Sequence, residues 1–196
     1  MPTFYEIDQN TDEWMALRLG KFTASTFKDL FMAKTTIGYQ KAIYKVVYER
    51  LTGESPESFT SDYMERGHEI EPLAKEAYQL ETFNDITNGG FWDMNEWVGC
   101  SPDGLVGDEG LIEIKSPAYN TMIDYLLKKK LPSIYQWQVQ GQLMVTERKW
   151  CDFMSYHPKL KPLIIRVDRD EKMIEQLRNQ LELSISEAQK IIEKIK

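Results

Sequence analysis

Apolar residues recur at helical spacing near both ends of the chain and at strand spacing between them. Thr11 ahead of Asp12 and Glu13 has the form of a helix start, Trp14 to Leu19 continues the helix, and Gly20 stops it. Thr23-Ala24-Ser25-Thr26 is a second capping cluster ahead of Phe27, Leu30 and Phe31, and a third helical stretch spans about 41–51. The first fifty residues are therefore expected to be helical. Gly53, Pro56 and the polar residues up to Thr60 read as a linker. Ser61-Asp62 then caps a longer helix running to about Glu81, with Ile70, Leu73, Ala74, Ala77 and Leu80 on its buried face and a kink or restart at Pro72.

From 91 to 116 the period shortens to strand-like pieces at 91–94, 97–100, 104–106 and 111–115, with Gly107-Asp108-Glu109-Gly110 as a hairpin turn. Helices are expected at 119–129 and 133–145, the latter with an apolar stripe of Ile134, Trp137, Gly141 and Met144. Strands follow at 150–156 and 163–167, then an amphipathic helix over 169–196. This order implies one α/β (α+β) domain with a central mixed sheet flanked by helices. Its helical N-terminal part covers about 1–60, its core about 61–168 and its C-terminal helix about 169–196.

At 196 residues and 42% hydrophobic composition, the chain can bury one substantial core. No run of about 18 apolar residues is present to span a bilayer, and the first six residues have neither a basic region nor an apolar run, so no secretion signal and no membrane association are expected. Cys100 and Cys151 are too far apart for a metal knuckle and fall in apolar strand-like segments, where cysteine is commonly a small buried hydrophobe. His68 and His157 lack metal-ligand spacing. The net charge of −7 argues against a broadly basic nucleic-acid surface, but not against a site in which bound cations invert the local charge.

One constellation remains. The hairpin brings Asp103 close to Glu113, and strand alternation sets Leu111 and Lys115 on the Glu113 face, with Ile112 and Ile114 toward the core. Taken alone, Glu-Ile-Lys also suits a solvated strand edge. The Ser101-Pro102-Asp103-Gly104 turn argues for more, because it presents a carboxylate at the end of the sheet. Two carboxylates suit Mg²⁺, and a neighbouring lysine can orient or deprotonate a water.

Four blocks then carry a family resemblance, from about Trp14 to Tyr156: WMALRLGKFTAS, ERGHEIEPLAKEAY, CSPDGLVGDEGLIEIKSP and YQWQVQGQLMV. In this order and spacing they resemble the phage lambda-type exonucleases, the YqaJ-like viral recombinase group of the PD-(D/E)XK nucleases. The resemblance implies a metal-dependent deoxyribonuclease with Glu71, Asp103, Glu113, Lys115 and Gln138 in its active site. It further implies that Asp103, Glu113 and the main-chain carbonyl of Ile114 bind Mg²⁺, with Mn²⁺ able to substitute, and that Lys115 attends the attacking water. Residue type alone does not separate Glu71 from Glu65, Glu69 and Glu76, nor Gln138 from Gln136, Gln140 and Gln142.

The same resemblance makes Arg18, Thr23, Ser25 and Ser101 a pocket for a DNA 5′-phosphate, which a guanidinium grips bidentately with help from hydroxyl donors. Arg18 paired with Asp12 or Glu13, and Ser25 as a helix cap, are the simpler alternatives. Lys128-Lys129-Lys130 either touches DNA backbone or is a solvated helix end; nothing carries across residues 32–40.

The expected activity is 5′-to-3′ degradation of one strand of linear double-stranded DNA, leaving 3′ single strands for recombination. The expected partners are DNA ends, two further copies of the chain in a homotrimer and a single-strand annealing protein, in the cytoplasm of a bacterial host. A restriction-type or repair endonuclease and a non-catalytic DNA-binding protein are the alternatives. The latter would have lost a charged site residue, and none is lost. Iron–sulfur relatives need four cysteines, and this chain has two.

Overall fold

Thr11 accepts the main-chain N–H of Trp14 and so caps the first helix, as its sequence requires. The computed structural model describes the backbone of residues 1–56 and 62–196 and the side chains of residues 1–56 and 69–196. The expected cap at Ser61 and the side chains of Glu65 and His68 lie outside the described residues.

The elements in chain order are β1 (Thr3–Tyr5), α1 (Asp12–Arg18), β2 (Phe22–Thr23), a 3₁₀ segment (Ala24–Phe31), α2 (Ile37–Thr52) and α3 (Asp62–Thr82). β3 (Ile86–Thr87), β4 (Phe91–Asn95), β5 (Val98–Cys100), β6 (Gly104–Val106) and β7 (Gly110–Lys115) follow. After them come α4 (Tyr119–Lys128), a 3₁₀ turn (Ser133–Tyr135), α5 (Gln136–Thr146), β8 (Trp150–Ser155), β9 (Leu163–Asp168) and α6 (Glu171–Ile195).

The mixed sheet is in two parts. A four-stranded sheet runs β1-β4-β5-β2 and a five-stranded sheet runs β3-β6-β7-β8-β9. β2 pairs parallel with β5 and β7 pairs parallel with β8; the remaining pairs are antiparallel. The N-terminal stretch is thus not wholly helical, since β1 and β2 join it to the sheets.

α5 lies against both sheets. Val139 and Leu143 pack with Leu105, Leu111, Cys151 and Phe153, while Met144 and Val145 pack with Phe22, Val98 and Cys100. Every residue from 139 to 146 is buried, as in a helix surrounded by protein, and Ile134 is exposed, so the single stripe expected for this helix is replaced by burial all round. Fully burying a side chain such as Leu143 contributes about 1.5–3 kcal/mol. α6 closes the other side with Ile174, Leu177, Leu181 and Ala188, as its amphipathic pattern predicts.

α3 covers the opposite face of β7, where Ala74 and Tyr78 meet Ile112 and Ile114. Tyr78 donates its hydroxyl to Asp152 at 2.6 Å, and Arg166 pairs with the same carboxylate. These contacts tie α3 to β8 and β9. The helix runs unbroken through Pro72. Leu73 and Leu80 face outward, so its buried face is narrower than the apolar spacing suggests and follows Ile70, Ala74 and Tyr78 instead. Both cysteines are free and fully buried, as expected. Among the described residues, no helix is long and apolar enough to cross a membrane.

Candidate active site

β6 and β7 pair with Gly104 opposite Ile112, a register that sets Asp103 opposite Glu113 at the open end of the hairpin. Asp103 Oδ2 accepts the main-chain N–H of Ile114 at 2.6 Å. The Lys115 carbonyl accepts the N–H of Tyr156 on the β8 side, so alternation along the strand turns the Ile114 carbonyl toward Asp103. Gly89 makes room for this turn. A Cβ there would lie 1.9 Å from the Pro102 carbonyl oxygen, and Gln9 Nε2 donates to that same oxygen at 3.1 Å.

Glu113 is buried beneath α5 at 1% exposure. Lys115, two residues on and on the same face of β7, makes an ion pair with Glu113 Oε1. Gln138 Nε2 donates to Oε1 at 2.5 Å, and Gln142 Nε2 donates to Oε2 at 2.6 Å. Gln140 turns away: it donates to the Asp168 carbonyl and accepts the N–H of Asp170, tying β9 to the start of α6. The expected choice of Gln138 over Gln140 thus places an amide on Glu113, as does Gln142, which residue type could not single out.

Arg18, Thr23, Ser25 and Ser101 line one cavity of about 170 Å³ together with Asp103, Glu113, Lys115 and Gln138. Arg18 does not pair with Asp12 or Glu13. Its guanidinium lies 4.1 Å from the centre of the Trp14 ring and donates to Thr23 Oγ1 at 3.5 Å, and Trp14 Nε1 donates to Ser101 Oγ at 2.8 Å. Trp14 and Gln9 also line this cavity, and neither was singled out from sequence, although Trp14 and Arg18 have the i, i+4 spacing of facing helix residues. The Ser25 hydroxyl lies 3.4 Å from that of Thr23 and makes no helix cap.

Glu71 borders a second, wider cleft of about 790 Å³, which shares Asp103 and Gln9 with the first cavity. It pairs with Lys75 one turn along α3 at 2.7 Å. Of the lysine run, Lys128 pairs with Asp124 on its own helix. His157 is half-buried at the start of a turn and accepts the N–H of Lys159.

Burial, and then the charge of Glu113, push the Asp103 carboxyl well above its usual range; Glu71 adds to the rise, while Lys115 and the Ile114 amide oppose it. Burial alone would lower the Lys115 pKa, but Glu113 and Asp103 outweigh it and hold the ammonium above its ordinary value. Burial draws the Arg18 pKa down to about 10, opposed by Cys100 and Glu49, which leaves it charged at neutral pH. The donor set suits Mg²⁺ or Mn²⁺, which bind through one or two carboxylates and retain waters. The raised Asp103 pKa reflects burial first and repulsion by Glu113 second, and a bound cation would offset both.

The model of the YqaJ-like viral recombinase domain matches residues 13–149. An alkaline exonuclease from Laribacter hongkongensis (LHK-Exo) is 36% identical, with 94% of this chain and 96% of that chain covered and a TM-score of 0.88. Its complex with dAMP matches to the same extent. A phage related exonuclease from Haemophilus somnus 129PT shares the fold at 14% identity, with 90% and 96% covered and a TM-score of 0.70. No curated protein matches.

Proposed function

The chain belongs to the YqaJ-like viral recombinase family, and on that premise we propose that it is a metal-dependent exonuclease that degrades one strand of linear double-stranded DNA from a 5′ end. The observation that carries this reading is the single cavity in which a guanidinium and three hydroxyls adjoin two carboxylates and a lysine. The Laribacter relative is an alkaline exonuclease with a dAMP complex, and a nucleoside monophosphate has the terminal phosphate that such a pocket would hold.

Asp103, Glu113 and the Ile114 carbonyl would hold Mg²⁺, or Mn²⁺ in its place. When bound, the ion supplies Lewis acidity to the phosphodiester and lowers the pKa of a water. Lys115, kept as an ammonium, orients that water and donates to the charge that develops on the phosphate. Gln138 holds Glu113 Oε1. Glu71 borders the approach to Asp103 from the wider cleft. Arg18, Thr23, Ser25 and Ser101 take the terminal 5′-phosphate and so set the register of the strand.

The product is a duplex with a 3′ single strand, the substrate of a single-strand annealing partner. A homotrimer around the duplex would let an acidic chain present a basic lumen.

Linear duplex and closed circular duplex of one sequence, each incubated with Mg²⁺, test the reading. Loss of 5′-labelled strand from the linear form and an intact circle are expected. Cutting of the circle would favour an endonuclease, and no cutting of either would favour a non-catalytic DNA-binding protein.

A further inference from the structure

Gln142 is a buried amide at the site for which the reaction outlined above provides no task. It is 1% exposed, and its neighbours along α5, Val139, Leu143 and Val145, are buried hydrophobes. Its Nε2 donates to Glu113 Oε2 at 2.6 Å, and its Oε1 is buried with no hydrogen-bond partner among the described residues. The opposite amide orientation would set two acceptor oxygens against each other, so the bond to Glu113 dictates which way the group faces and leaves Oε1 unpaired. A side chain that served packing alone would be apolar here. An unsatisfied buried acceptor opposes folding and needs another reason to persist.

Helix spacing supplies one. Gln138 and Gln142 stand one turn apart on α5 and take one oxygen each of the same carboxylate, and Lys115 joins Gln138 at Oε1. Gln142 is the one hydrogen-bond partner of Oε2 among the described residues.

We infer that Gln142 is a positioning residue for the divalent-cation site: by clamping Glu113 Oε2 it fixes the plane of the carboxylate and presents Oε1 to the cavity. This rests on the proposed function. Partners that orient a ligand carboxylate typically govern metal affinity by about 10- to 100-fold. Gln142 lines the same cavity as Glu113, and the hydrogen bond through which it acts is the one to Glu113.

The test is Gln142→Met in the full chain, which keeps the length and removes both the donor and the orphan acceptor. Three quantities are measured: the melting temperature, Mn²⁺ binding by calorimetry without DNA, and the Mg²⁺ dependence of cleavage. The expected result is a folded variant, because loss of the orphan acceptor partly offsets loss of the bond to Oε2, with Mn²⁺ binding weakened about 10- to 100-fold and a matching rise in the Mg²⁺ needed for half-maximal rate. Saturating Mg²⁺ should restore most of the rate.

Wild-type Mn²⁺ affinity in the folded Met variant overturns the inference and leaves the proposed function standing. Should that variant fail to fold, Gln142→Asn, whose amide falls short of Oε2, is read in the same way. A wild-type protein that binds no Mn²⁺ and cuts no DNA overturns both readings together.

Discussion

Asp103 accepts the main-chain N–H of Ile114 at 2.6 Å, which locks the acid at the mouth of the hairpin to the strand that carries Glu113 and Lys115. The bond fixes geometry but does not remove the electrostatic cost, because burial and Glu113 hold the Asp103 pKa well above its ordinary 3.8. A carboxyl whose pKa is raised by folding lowers stability as pH climbs from the unfolded value through the folded one. Asp103→Asn keeps an acceptor for the Ile114 amide and drops the charge. It should raise the melting temperature at about pH 8 in chelator, with the gain shrinking toward about pH 4, and should abolish cleavage. Melts across that range check the sign; an unchanged melting temperature at the alkaline end would refute it.

Glu113→Ala and Lys115→Ala should likewise abolish cutting, since each removes a group that touches the metal or the water in the proposed reaction. Binding of a DNA end in Ca²⁺ should survive both substitutions. Cleavage at wild-type rates by either purified variant would end the mechanism.

Metal removal offers a further check on the same site. Excess chelator should stop the reaction, Mg²⁺ or Mn²⁺ should restore it, and Ca²⁺ should bind without turnover, because its looser coordination misplaces the water. Full activity in chelator would contradict the account.

A test of positioning lies outside the charged residues. The Cβ of Gly89→Ala would meet the Pro102 carbonyl oxygen at 1.9 Å, so the turn carrying Asp103 must shift. A displacement of about 1 Å at a reacting group costs roughly 100-fold in rate. Gly107→Ala, at φ +54° with open space around it, should cost about 1 kcal/mol of stability and leave the rate unchanged. Rates and melts of the two alanine variants should therefore separate; equal rates would show that the turn does not set the position of Asp103.

The long elements were legible because their periods are strong: α6 buries the stripe its sequence displays, and β6 and β7 form the hairpin that Gly107 and Asp108 signal. β1, β2 and β3 were not. They have two or three residues each, too few for a period, and they exist through partners distant in sequence, such as Phe22 against Val98. Leu73 and Leu80 fit the apolar spacing of α3, yet among the described residues it is Ala74 and Tyr78, with Ala77 beside them, that pack against β7 and its neighbours. At the site, residue types found Asp103, Glu113 and Lys115, whereas the glutamines of α5 differ only in the direction tertiary packing gives them. Trp14 and Gln9 carry no chemical signature and gain their positions from the fold.

One departure in local chemistry predicts a stabilising change. α5 ends at Glu147, which adopts φ +59° in the left-handed region that glycine fills at helix ends. Glu147 is exposed and does not line the cavity. Glu147→Gly should stabilise the fold by about 1 kcal/mol without altering activity, measured by denaturant unfolding. A loss of stability would show that the Glu147 side chain makes a compensating contact.

The most direct measurement compares 5′-phosphorylated and 5′-hydroxyl linear duplexes in wild type and in Arg18→Ala. A charge-assisted, bidentate contact to the terminal phosphate contributes about 1.5–3 kcal/mol, or roughly tenfold or more in rate when it acts in the transition state. Wild type should degrade the phosphorylated duplex faster, and the rates for the two ends should converge in Arg18→Ala through loss on the phosphorylated substrate alone. Equal rates for both ends in wild type, or equal loss on both in the variant, would contradict it.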